Sequence, residues 1–107
     1  MRIAARGFGQ YNNREDAMAL MVGQQVWIPC KVQPGPFSDE PLVTFEGIDG
    51  PITGFVNIDE LKETAGQTMV RGIVRNIEKD HIEVWIKGSF FTTNGLANVP
   101  AGMAMAA

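Results

Sequence analysis

Turn-forming residues punctuate the chain at short intervals between Gly23 and Gly88, at Gln33-Pro34-Gly35-Pro36, Gly47-Ile48-Asp49-Gly50-Pro51, Ala65-Gly66 and Lys79-Asp80. The runs between them are of strand length. Most of the chain is therefore confined to short strands, and alternation decides which side chains each strand buries.

The first run, residues 26–32, puts Val26, Ile28, Cys30 and Val32 on one face and Trp27, Pro29 and Lys31 on the other. Pro29 lacks a ladder donor, which predicts a sheet edge or a bulge. Residues 42–46 and 52–58 flank the Asp49-Gly50 turn signal and read as a hairpin, with Val43, Phe45, Ile52, Val56 and Ile58 inward. A second hairpin pairs residues 69–77 with 82–87. Its second strand turns Ile82, Val84 and Ile86 inward and Glu83, Trp85 and Lys87 outward. In its first strand Val70 and Val74 fit the core face while Ile77 is one residue out of phase, which predicts a bulge near Arg75-Asn76.

The ends read differently. Asn13 followed by Glu15 and Asp16, then the apolar residues 17–22, predicts a short N-terminal helix over residues 14–22 that stops at Gly23. Residues 100–107 are small and uncharged, and predict a tail that is mobile or packs on a neighbour. At 107 residues and 45% hydrophobic, the chain suits one domain, expected over residues 1–99. The expected fold is mostly β: a single small five-stranded barrel with the N-terminal helix, since closure removes the unpaired edges of a short sheet.

Charge and cysteine usage narrow the function classes. Nine Lys and Arg against twelve Asp and Glu leave a net charge of -3, the wrong sign for a general nucleic-acid coat. A single cysteine, Cys30, forms no internal disulfide and suits a reducing compartment. The N-terminal residues contain no apolar run resembling a signal peptide, and no stretch approaches the roughly 20 apolar residues of a membrane span. A cytoplasmic protein with no membrane association is expected.

Residues 23–87 resemble the S1-type oligonucleotide-binding (OB) barrel. Val22-Gly23-Gln24-Gln25-Val26 is similar to that family's Val-Gly-x-x-Val opening, and Gly54-Phe55-Val56-Asn57-Ile58-Asp59-Glu60-Leu61 to its Gly-(Leu/Phe)-Val-His-Ile-Ser-Glu-Leu strand. Gly66 to Val70, with Ile77-Glu78, resembles its Gly-Asp-x-Val…Ile-Asp strand. Asn57 stands where the family usually has His, and only Lys62-Glu63-Thr64-Ala65 fills a connection that is normally longer. That short link suits an SH3-like barrel equally well. The resemblance implies a binding module, with single-stranded RNA as one class of partner.

Alternation turns Trp27, Phe55 and Trp85 outward, together with Lys31, Asn57, Arg71, Arg75 and Lys87, and these eight residues form the candidate binding site. On an OB barrel such rings stack bases while the cations meet phosphates. The alternative is that the rings are covered, by the N-terminal helix, by Phe90-Phe91 or by a second subunit. Charge favours the protein contact, because residues 37–63 hold seven acids against Lys62 alone, a net of -6 that repels phosphate. Cys30 and His81 are too few for a zinc site without carboxylates. Phosphate-loop, nucleophile-elbow and zinc-protease motifs are missing from the sequence, so neither a cofactor nor catalysis is implied. The expected function is a non-catalytic binding or assembly module acting through its aromatic face, with a protein partner or a second copy of itself.

Overall fold

Alternating burial marks residues 25–30, 41–46, 70–75, 81–86 and 96–100 of the structure, a computed structural model that describes residues 20–91 and 94–107. Ten strands follow one another: β1 (Gln25–Pro29), β2 (Lys31–Phe37), β3 (Glu40–Gly47), β4 (Gly50–Phe55), β5 (Leu61–Thr64), β6 (Gln67–Ile77), β7 (His81–Trp85), β8 (Ser89–Phe90), β9 (Leu96–Pro100) and β10 (Met105–Ala106). Short 3-10 turns occupy Ile58–Glu60 and Ala101–Met103. All pairings are antiparallel. The first sheet has the order β10-β1-β6-β7-β9, with β5 also on β6; the second has the order β2-β3-β4-β8.

The two inner faces share one core. Val26, Ile28, Val70, Val74, Ile82, Val84, Ile86 and Val99 from the first sheet meet Val43 and Phe45 from the second, with Val56 just beyond β4. The predicted inward sets of both hairpins are found there, except at Ile52 and Ile58. Ile52 is half-buried against the core, and the chain leaves the strand at Phe55, so that Ile58 opens a 3-10 turn and is exposed. The β6–β7 register shifts between Val74 and Asn76, where the phase of Ile77 required a bulge.

Several expectations are corrected. The described residues form two antiparallel sheets and no closed barrel, because the first predicted strand is in fact two. Cys30 lies between β1 and β2 and hands the chain from one sheet to the other. Its N–H donates to the Thr68 carbonyl, and its own carbonyl accepts from the Gln67 side chain. The break in phase explains Val32, which pairs with buried Val43 but is 40% exposed on the edge strand β2. The four-residue link after the OB-like motif is itself mostly strand, as β5 joins β6 through Ala65-Gly66 with φ of +52° and +80°. Two successive positive φ values suit the twist of a two-residue hairpin.

Most of the helix predicted over 14–22 lies outside the described residues. Its last part, from Leu20, runs as irregular chain into a turn at Val22-Gly23. The residues predicted as a tail instead form the second 3-10 turn and β10, in which Met105 pairs with Trp27 and Ala106 with Val26.

Several open edges carry proline. Pro34 and Pro36 interrupt the edge strand β2, Pro51 sits on β4 beyond the reach of β8, Pro29 ends β1 beyond β10, and Pro100 ends β9. A proline offers no N–H to an incoming strand, so these edges resist strand addition.

Candidate functional site

The outer face of the first sheet is built by register. Gln25 pairs with Ile73, Ile73 with Trp85, and Trp85 with Leu96, so one row crosses four strands. The adjacent row runs from Met105 through Trp27 to Arg71. Alternation along β7 continues past its end to put Lys87 beside Arg71. Trp85 (38% exposed), Leu96 (41%) and Met105 (52%) leave an apolar surface open, while Trp27 and Ile73 are half-buried. Between the rows lies a depression of about 200 Å³ lined by Gln25, Glu60, Arg71, Ile73, Trp85 and Lys87.

The cations here are largely engaged. Arg71 Nε and Nη2 donate to Glu60 Oε1 and Oε2, both at 3.0 Å, and Glu60 is buried. Hydrogen bonding to Glu60, reinforced by its charge, holds the Arg71 guanidinium above its ordinary range. Lys62 Nζ stands 4.7 Å from the Trp27 ring centroid, a cation–π contact. The side chains of Glu83 and Lys87, two residues either side of Trp85 on the same face, make no hydrogen bond or ion pair among the described residues.

The structure thus brings together Trp27, Arg71, Trp85 and Lys87 of the predicted set and separates the other four. Phe55 belongs to the second sheet, where Phe91 packs edge-on at 5.7 Å and 70°. This ring is therefore in contact with Phe91 of the chain itself. Asn57 accepts from the Asp59 N–H through its side chain and caps the first 3-10 turn. Lys31 starts β2 in the wall of a separate depression that also contains Cys30, and Arg75 is exposed at the β6 bulge.

Ile73, Leu96, Met105, Glu60 and Glu83 were missed as site residues. Ile73 was legible as an outward aliphatic in phase with Arg71. Leu96 and Met105 fall in a segment whose small residues gave no strand signal.

Elsewhere the titratable groups are local in their effects. Burial pushes the Cys30 thiol up to about 11. The hydrogen bond with His81 Nδ1, at 2.9 Å, holds the exposed Asp80 carboxyl below its ordinary value. Among the described residues no three His, Cys, Asp or Glu side chains gather into a metal-sized group. No helix among them is long and apolar enough to cross a membrane. Comparison with protein-family models, with curated proteins and with solved structures gives no match to this chain.

Proposed function

We propose that this chain is a non-catalytic binding and assembly module of the cytoplasm that associates with itself through the outer face of its first sheet. The observation that carries this reading is the exposed pair Trp85 and Leu96, aligned by sheet register in one row with half-buried Ile73, on the same face as half-buried Trp27 and, at the opposite edge, exposed Met105. Aromatic anchors in an apolar patch are the usual centres of protein contacts. Proline on the edge strands β2 and β9 disfavours strand addition there, which favours contact through a face, although β5, β8 and β10 carry none. RNA is disfavoured because Arg71 is held by Glu60 and Lys62 lies over Trp27, which leaves Lys87, among the described residues, as the cation on this face whose side chain has no partner.

Native mass measured by light scattering across a concentration series tests the proposal. The wild type should show a concentration-dependent mass that tolerates salt, and Trp85→Ala should shift it toward monomer, weakening association by about 2 kcal/mol or more. An unchanged mass in a normally folded Trp85→Ala variant rejects the face. Tight, salt-sensitive binding of labelled single-stranded RNA that Trp85→Ala abolishes would assign the same face to nucleic acid.

A further inference from the structure

The charge pattern around Trp85 specifies how two copies would meet. Along β7 and just past its end the outward residues read Glu83, Trp85, Lys87: acid, ring, base, each charge two residues from the ring. Neither charge has a partner among the described residues, whereas Arg71 and Glu60 on the same face satisfy each other through two hydrogen bonds.

From this we infer that the face forms a two-fold dimer in which β7 of one copy lies antiparallel across β7 of the other, Trp85 against Trp85, with each Glu83 opposite the second copy's Lys87. The inference rests on the self-association proposed above and adds its symmetry and register. A two-fold axis in the plane of the interface, crossing the strands at Trp85, reverses strand direction, so the position two residues before the ring falls on the position two residues after it. The row Gln25, Ile73, Trp85 and Leu96 then meets its own copy, apolar against apolar along most of its length. Parallel strands over the same ring would instead set Glu83 against Glu83 and Lys87 against Lys87. Like charges facing one another exclude that arrangement, and this is how charge fixes register.

Glu83→Lys and Lys87→Glu, alone and mixed in equal amounts, test the inference by native mass at fixed concentration and low salt, alongside wild type and Trp85→Ala. Each reversal alone should weaken self-association by about tenfold. The equimolar mixture should recover the dimer, because every facing pair is then opposite in sign. Loss of dimer in Trp85→Ala with single reversals that associate as well as the wild type, or with no recovery in the mixture, overturns the register and leaves the face as the contact. A mass unaffected by Trp85→Ala overturns the register and the face together. Far-ultraviolet circular dichroism of each variant checks that a change in mass is not a failure to fold.

Discussion

The two sheets treat their aromatic residues in opposite ways. In the second sheet most rings are paired within the chain: Phe45 meets Phe90 edge-on at 6.1 Å and Phe55 meets Phe91 at 5.7 Å, while Phe37 at the end of the edge strand β2 stays 65% exposed. In the first sheet Trp27 and Trp85 sit in adjacent rows of a pleated face with aliphatic neighbours and no ring partner among the described residues. Backbone composition follows the same division. Gly35, Gly47, Gly50 and Gly54 fall in the second sheet with Pro34, Pro36, Pro41 and Pro51, whereas the interior of the first carries one glycine, Gly72. The second sheet is shaped by close approach between its strands; the first is more regular, with Trp85, Leu96 and Met105 exposed on its outer face.

Substituting one glycine in each sheet breaks or sharpens that contrast. A Cβ on Gly54 would stand 2.6 Å from the Ser89 carbonyl oxygen and 2.7 Å from Phe90 Cα, so β8 must move away from β4. Gly54→Ala should cost about 1–3 kcal/mol in a urea titration. On Gly72 the nearest atoms, from Val84, Ile28 and Ile86, lie at 3.4–3.5 Å, which is ordinary contact. Gly72→Ala should be tolerated and should raise stability by about 0.5–1 kcal/mol, because glycine in a strand interior is entropically costly. Equal losses in the two variants would remove the distinction.

How much of this was legible follows from how far alternation reaches. It placed Val26, Ile28, Val43, Phe45, Val70, Val74, Ile82, Val84 and Ile86 correctly and required the bulge after Val74, because each strand's phase is set by its own residues. It placed Cys30 inward as well, where it is buried, but failed beyond it because a change of sheet leaves no mark on alternation: Val32 continues the pattern yet belongs to the other sheet and is exposed. It failed for Phe55 for a related reason. Outwardness is defined strand by strand, and whether two outward faces belong to one surface depends on pairings that the sequence does not display. The last residues were unreadable because alanine, methionine and glycine carry little strand signal. Their pairing with β1 is a tertiary outcome.

Cys30 tests the corner where the two sheets exchange the chain. Cys30→Ser should cost about 1–3 kcal/mol by placing a hydroxyl where burial offers no assured partner. The thiol should react slowly with an aromatic disulfide reagent in the native state. Since burial raises the native thiol to about 11 from an ordinary 9.0, its contribution to stability is complete below the ordinary value and is lost as pH rises toward 11. The urea midpoint of the wild type should therefore fall more steeply between these pH values than that of Cys30→Ala. Parallel slopes would show the corner to be open to water.

The smallest effect separates the two uses of an exposed ring. Phe91 is 64% exposed, more than Trp85, so exposure alone would make it the better contact residue. Its edge nevertheless meets the Phe55 ring, and its N–H donates to the Thr53 carbonyl, so its role is to hold the turn after β8 against β4. Phe91→Ala should therefore lower stability by about 0.5–1.5 kcal/mol, the worth of an edge-to-face pair, and leave the native mass at every concentration as in the wild type. Trp85→Ala should do the reverse, changing the mass with a smaller effect on monomer stability. A Phe91→Ala variant that dissociates while keeping its urea midpoint would mean that the second sheet, too, presents its rings to a partner.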